Sequence, residues 1–327
     1  MTKKRVLSGI QPTGKLHLGN LMGAVENWTK LQDQYDCYFF IADLHALTTA
    51  YEDVSGLREA NQQVTIDLLA AGLDPEKCVI FRQSDLPEHA ELHLLLSMIT
   101  PLSWLERVPT YKSKMDELKG KDLHTYGFLG YPLLQAADIL IYKADFVPVG
   151  QDQLPHIELT REIARRFNNF YGQVLPEPQS LLTQFPVLPG TDGRKMSKSY
   201  NNTIALSDPP EVITKKISIM VTDPARLKKD DPGHPEVCSA YDFYKIFSQA
   251  TKDKVALECQ QGKRGCVACK KELAKILVDY LAPLQARRHE LEKQPEKLTR
   301  ILASGAEKAR LVAAKTLQEV KHSMGIL

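Results

Sequence analysis

Apolar positions in the first eighty residues come in two rhythms. Arg5 to Ile10, Cys37 to Ala42 and Cys78 to Phe81 are short runs that predict three strands. Between the last two, Leu57, Ala60, Val64, Leu68 and Ala71 recur at steps of three and four, which predicts an amphipathic helix. Gly72 is its expected C-cap, with Pro75 close behind. Another helix is expected over Leu18 to Leu31, after a glycine-containing loop, and Asp43 stands at the exit of the second strand. Strand, helix, strand at this spacing implies parallel βαβ units, hence an α/β, Rossmann-like doubly wound sheet that binds ligands at its strands' carboxyl ends. From about Trp104 helical patterns dominate. A proline-rich stretch, Leu175-Pro176-Glu177-Pro178 through Pro186-Val187-Leu188-Pro189-Gly190, follows. After Ser207 the chain reads as charged and helical, without a convincing strand. Its last segment sets Ala313, Leu317, Val320 and Met324 on one helix face. The expected division is an α/β domain over 1–200 and a helical domain over 201–327, with no internal repeat or low-complexity tract.

Composition narrows the class. A chain of 327 residues, 25% charged and 43% apolar, suits two globular domains. No apolar run reaches the roughly 18 residues that span a bilayer, so no membrane partner is expected. Met1-Thr2-Lys3-Lys4-Arg5 is basic, but only Val6 to Ile10 follows, too short for a signal-peptide core. A cytoplasmic chain is therefore expected. The net charge of +2 argues no nucleic-acid partner in bulk. No DNA partner is expected, and an RNA partner needs local basic patches.

Two distant segments carry candidate chemistry. Pro12-Thr13-Gly14-Lys15-Leu16-His17-Leu18-Gly19-Asn20 joins the first strand to a helix. Such a turn offers backbone N–H groups and a positive dipole end to phosphate. His17 and Asn20 can add donors. Gly193-Arg194-Lys195-Met196-Ser197-Lys198-Ser199 is a lysine and serine loop able to close over β- and γ-phosphates and stabilise a leaving pyrophosphate. Alone, the first segment is explained as well by a packing glycine and a surface histidine, and the second by a solvated charged loop. Together, in this order, they resemble the HIGH and KMSKS motifs of class I aminoacyl-tRNA synthetases.

Two further stretches sharpen the resemblance: Gly130-Tyr131-Pro132-Leu133-Leu134-Gln135-Ala136-Ala137-Asp138-Ile139-Leu140 and Val147-Pro148-Val149-Gly150-Gln151-Asp152-Gln153-Leu154-Pro155-His156. They look like the amino-acid-binding segments of the bacterial tryptophanyl-tRNA synthetases. The resemblance runs nearly end to end, to the Gly305-Ala306-Glu307-Lys308-Ala309-Arg310 helix. It implies a Rossmann catalytic domain, a helical anticodon-binding domain and a homodimer. It also implies activation of L-tryptophan by ATP and Mg2+ and transfer to tRNA(Trp). ATP would lie on Gln11, Thr13, His17, Gly19, Asn20, Lys195, Met196, Ser197 and Lys198, with Lys195 and Lys198 catalytic. By the same resemblance Asp138 accepts the indole N–H, and Tyr131 and Gln153 hold the α-amino and carboxylate groups. The physics agrees, since indole N–H is a donor only and a carboxylate an acceptor. Gln135 stands where many members have methionine and is similar to the glutamine of tyrosyl enzymes. Tyrosine thus stays open as the substrate, as does pairing of Asp138 with a nearby base. Outside this class stand a small-molecule adenylate-forming ligase and a non-catalytic RNA-binding relative.

Six cysteines complete the picture. Cys37 and Cys78 lie in apolar strands and read as core residues. Cys238, Cys259, Cys266 and Cys269 have ligand-like spacing, suited to zinc or an iron–sulfur centre, with free thiols the alternative. The resemblance favours the subset with a 4Fe-4S cluster, with Zn2+ as the alternative. Lys263, Arg264, Lys270 and Lys271 beside the cluster, and Arg226, Lys228 and Lys229 upstream, could meet tRNA phosphates.

Overall fold

A computed structural model of the chain describes residues 3–117, 120–182, 188–228 and 230–327. Met1, Thr2, Pro186, Val187 and Lys229, named above, lie outside the described residues. The predicted strands are β1 (Arg5–Ile10), β2 (Asp36–Ile41) and β3 (Cys78–Arg82). They pair in parallel, Arg5 with Asp36 through Ile10 with Ile41, and Cys37 with Cys78 through Ile41 with Arg82. Two more parallel strands, β4 (Phe146–Val149) and β5 (Gln179–Leu182), complete the order β3-β2-β1-β4-β5. That order matches five of the six strands of the doubly wound 3-2-1-4-5-6 arrangement, with the strand order reversing at β1.

In chain order the helices are α1 (Leu18–Asn20), α2 (Glu26–Gln34), α3 (Asp43–Ala50), α4 (Leu57–Ala70), α5 (Glu88–Ser97), α6 (Leu102–Glu106), α7 (Pro109–Glu117), α8 (Tyr126–Leu129), α9 (Tyr131–Ile141), α10 (Leu154–Tyr171), α11 (Pro210–Ser218), α12 (Ser239–Phe247), α13 (Lys252–Gln260), α14 (Cys266–Glu292) and α15 (Pro295–Ser323). The helix expected over Leu18 to Leu31 is interrupted. A π turn, Leu21–Val25, separates α1 from α2. No strand follows Ser207 among the described residues, as expected. None of the described helices is long and apolar enough to cross a membrane.

Two compact units result. One joins Met1–Gly14, Asn27–Gln184 and Gln294–Leu327; the other joins Lys15–Glu26 and Phe185–Lys293. The first unit holds the whole sheet. Phe39 stacks on Trp28 at 4.7 Å, and on the opposite face Tyr38 stacks on Tyr142 at 5.2 Å. Burying each such ring contributes about 1.5–3 kcal/mol. Helix α15 returns to this unit and crosses the edge strand β3. A Cβ on Gly305 would sit 1.8 Å from the Ile80 carbonyl oxygen, so the crossing admits no side chain there. Ala313, Leu317 and Val320 of α15 are buried, as the pattern predicted.

The second unit owes its first segment to pairing with a distant one. The Leu18 N–H donates to the Ile204 carbonyl at 2.9 Å, and the Leu206 N–H donates to the Leu16 carbonyl at 2.9 Å. These bonds bring the HIGH-like segment, from Lys15 onward, into the same unit as the lysine loop.

Candidate active site

In the second unit, His17 caps α1 through a reciprocal pair of bonds. Its Nδ1 accepts from the Asn20 backbone N–H at 3.3 Å, and its own N–H donates to the Asn20 Oδ1 at 3.1 Å. The exchange satisfies end donors that a helix N-terminus leaves open. It also makes Nε2 the protonated nitrogen of the neutral ring. The imidazole stays neutral at pH 7, because burial and then the charge of Lys198 pull its pKa down to about 4. Both His17 Nε2 and the Asn20 amide nitrogen keep donors for an anion.

The lysine loop touches this helix start. The Gly19 N–H donates to Met196 Sδ at 3.4 Å, and Met196 is buried. The loop is a tight hairpin rather than a loose tether. Met196 N–H donates to the Leu188 carbonyl, and Pro189 bridges Lys195 in antiparallel fashion. Asn202 pins the far side. Its Oδ1 accepts from the Ser197 N–H at 2.8 Å, and its amide donates to Asp192 Oδ1 at 2.7 Å and to the Lys195 carbonyl at 3.1 Å. Lys195 is exposed and Lys198 half-buried. Asn202 and Asp192 escaped the sequence reading; an amide just beyond a serine and lysine loop was the available signal.

The first unit gathers the other predicted residues. Tyr131, Gln135 and Asp138 stand at steps of four and three on α9, hence on one face. Tyr131 is buried, and its hydroxyl shares a 2.7 Å hydrogen bond with Thr110 Oγ1. Thr110 Oγ1 in turn lies 2.5 Å from His156 Nε2. Lys114 Nζ sits 4.5 Å over the Tyr131 ring. His156 is drawn down to about 4, by burial first and the Lys114 charge second. Gln135 and Gln153 are half-buried. Gln11 is half-buried and Thr13 exposed, also in this unit.

Asp138 is 1% exposed and carries the pairing with bases that stood as its alternative role. Oδ1 accepts from His89 Nδ1 at 2.6 Å and from Gln83 Nε2 at 2.8 Å; Oδ2 accepts from His45 Nε2 at 2.9 Å and Gln83 Nε2 at 2.9 Å. Burial alone would raise the carboxyl pKa, but the hydrogen bonds and charges of His45 and His89 outweigh it and hold the group at about 2. His45 lies in the first turn of α3 after β2, Gln83 directly follows β3, and His89 lies in the first turn of α5, six residues on. The general rule for ligand placement in such sheets points to these strand exits, and no motif does. Among the described residues, two buried nitrogens near this face, His156 Nδ1 and His93 Nε2, lack a hydrogen-bond partner. Unmade bonds of this kind are costly, and a polar ligand would satisfy them.

The four clustered cysteines share the second unit. Cys238 caps α12, and Cys266 and Cys269 occupy the first turn of α14. Arg226 Nη1 lies 3.7 Å from Cys259 Sγ and 3.9 Å from Cys266 Sγ. A Cβ on Gly233 would come within 2.5 Å of Cys259 Sγ, so the sulfur fills a glycine-sized notch. Soft sulfur donors under guanidinium groups fit an anionic thiolate centre chemically. The geometry falls short of that expectation: among the described residues, no three side chains stand where they could hold one metal ion. Burial raises the Cys238, Cys259 and Cys269 thiols, which favours their protonated form. Cys37 and Cys78 are core residues as predicted, both buried and both raised to about 12, chiefly by burial.

Comparison with known proteins decides the class. The profile of the family "tRNA synthetases class I (W and Y)" matches residues 2–282. The chain belongs to this family. It is 52% identical to the tryptophan–tRNA ligase of Thermotoga maritima, covering 99% of both chains. It is 45% identical to that of Aquifex aeolicus, covering 98% of this chain and 100% of the relative. Among solved structures it resembles tryptophanyl-tRNA synthetase from Campylobacter jejuni, complexed with ADP and tryptophan, at TM-score 0.88 and 36% identity, covering 98% and 99% of the two chains. A tyrosyl-tRNA synthetase from Archaeoglobus fulgidus matches at TM-score 0.68 and 25% identity, over 88% of this chain and 90% of the other. The class I, Rossmann-like reading of the two motifs is thus correct, and the family's tryptophan ligases share this chain's full length.

Proposed function

We propose that this chain is an ATP-dependent tryptophan–tRNA ligase that forms tryptophanyl-adenylate and passes the acyl group to tRNA(Trp). One observation carries the reading: a neutral, buried His17 with an open donor stands at a helix start held against Met196, with Lys198 close enough to depress its pKa. A carboxylate needs no base to attack the α-phosphate, because it is ionised at pH 7. The protein's task is alignment and neutralisation of the triphosphate. In this reading Gln11, Thr13, His17, Gly19 and Asn20 bind ATP with Met196 and Ser197. Lys195, Lys198 and Mg2+ balance the charge of departing pyrophosphate. On α9, Asp138 accepts the indole N–H by releasing one of the two contacts it makes with the Gln83 amide, since its roughly four lone pairs are otherwise engaged. Tyr131, Gln135 and Gln153 orient the rest of the amino acid.

The deciding experiment is ATP–pyrophosphate exchange with each of the twenty amino acids. Tryptophan alone should support it, and equal exchange with tyrosine would overturn the substrate. Gln135, half-buried one turn from Asp138, is what keeps tyrosine as the second candidate.

Three finer readings accompany this one. The domain over 1–200 carries catalysis, and 201–327 faces the anticodon. The protein works in the cytoplasm as a homodimer. Leu94 on α5, Met98 just after it and Leu102 on α6, each more than half exposed, support a covered face; sedimentation should give twice the chain mass. Cys238, Cys259, Cys266 and Cys269 would hold a 4Fe-4S cluster, or Zn2+, as a structural element. Anaerobically purified protein should be brown and carry iron with sulfide, whereas colourless protein with zinc selects the alternative and metal-free stable protein removes the site.

A further inference from the structure

Where α15 crosses β3, a cavity of about 180 Å³ opens beside Gly305. Its helix side is set by Lys297, Arg300, Ser304 and Lys308, and its strand side by Glu76 and the Cys78–Ile80 edge of the sheet. The helix positions are spaced by three, four and four residues, so they share one face. They extend over about 16 Å of helix, at about 1.5 Å per residue. The balance is three cations to one carboxylate. Lys297, Arg300 and Lys308 have no ion pair or side-chain hydrogen bond among the described residues. Elsewhere in this unit Lys77 is paired with Asp33, Arg82 with Asp85 and Arg310 with Glu88. Unpaired like charges on one helix face repel one another, and an anion placed between them relieves that repulsion. None of these residues belongs to the ATP or amino-acid machinery described above.

We propose that this cavity and the α15 stripe bind backbone phosphates of the RNA substrate, with the Ser304 hydroxyl as a neutral donor between the cations. The proposal rests on the tRNA ligase reading. A row of cations strung over 16 Å, with exposed ends, matches successive phosphates of a strand. A single small anion would call for donors converging on one buried point. Arginine suits the work through its fork of N–H donors, which can bind phosphate in bidentate fashion. The contact carries no base specificity and positions the RNA on the sheet-bearing unit.

The test uses the full chain with Arg300→Gln and Lys308→Gln together. Tryptophan-dependent pyrophosphate exchange should match the parent, which reports an intact fold and machinery. Binding of tRNA(Trp), measured across salt concentrations, should show a log–log slope shallower by about 1.4–1.8, since each of the two phosphate contacts contributes about 0.7–0.9. Arg300→Lys with Lys308 intact should keep the parent slope. Inorganic phosphate, followed by calorimetry, is the second arm. If phosphate binds the parent tightly and the double variant weakly while the tRNA slope is unchanged, the site serves a small phosphorylated molecule and the RNA assignment falls. If neither the slope nor phosphate binding changes, there is no phosphate site. Absence of tryptophan-dependent exchange in the parent would overturn the ligase reading instead, and the salt slope would still report on this surface.

Discussion

Replacing Asp138 with asparagine should cost stability and tryptophan affinity together. The carboxylate is buried and receives His45, His89 and a shared Gln83 amide, all within 2.9 Å. Asparagine keeps one acceptor oxygen and turns an N–H toward groups that are themselves donors. Gln83 cannot simply flip to accept it, because its Oε1 already receives the His45 backbone N–H at 3.3 Å. The charge contribution follows from the carboxyl pKa, about 2 in the fold against 3.8 ordinarily. At about 1.4 kcal/mol per unit that is on the order of 2–3 kcal/mol. Breaking a buried charge pair costs about 3–5 kcal/mol in general, so a loss of about 3 kcal/mol is expected. A depressed carboxyl pKa stabilises the fold above the unfolded value near 4 and ceases to do so as pH falls through about 2. Urea unfolding of parent and variant should therefore show the full gap at pH 7 and a closing gap between pH 4 and 2. The KM for tryptophan in pyrophosphate exchange should rise in parallel. A gap under about 0.5 kcal/mol at pH 7, or one that stays constant down to pH 2, would refute the charge-pairing account.

Lys195→Ala and Lys198→Ala should each slow single-turnover adenylation by about a hundredfold while tryptophan binding changes little, since their charges matter most as pyrophosphate leaves. Asn202→Ala removes the acceptor of Ser197 N–H and the donor to the Lys195 carbonyl, so adenylation should slow by about tenfold with a normal melting curve. His17 is neutral above about 4, so replacing it should leave the shape of the adenylation pH profile unchanged between pH 8 and 5. Its lowered pKa also means that stability falls as pH drops from 6.5 toward 4, where the unfolded chain takes the proton first, and His17→Asn should flatten that decline.

The elements visible in the sequence are those whose cause is local. β1, β2, β3 and α4 each carry an apolar period that no partner needs to explain. β4 hides because Pro148 sits within its four residues, and proline argues against a strand with neighbours on both sides. Its ladder to β1 is indeed confined to Val6 opposite Phe146, while β5 pairs along the whole of it. β5 is short and largely exposed at the sheet edge, so it has no buried face to declare. The π turn after Asn20 has no compositional mark. In the site, the two motifs and the α9 face were legible because their residue types are unusual at that spacing. His45, Gln83 and His89 were not, since their meeting at Asp138 depends on three separate strand and helix ends. Only the fold brings these together.

The crossing of α15 over β3 also bears on how the chain is made. Ile80 and Gly305 meet in the finished protein, but one is synthesised long before the other. At about 5–20 residues per second, the edge strand waits roughly 10–45 s for the helix that covers it. Throughout that interval the growing chain presents an open sheet edge able to recruit a strand from a neighbouring copy. A ribosome that stalls before residue 295 would release a chain with its sheet built and that edge bare. Nascent copies on one crowded message are the setting in which that exposure matters most, and a chaperone holding the β3 edge until α15 arrives would act at this point of the chain's synthesis.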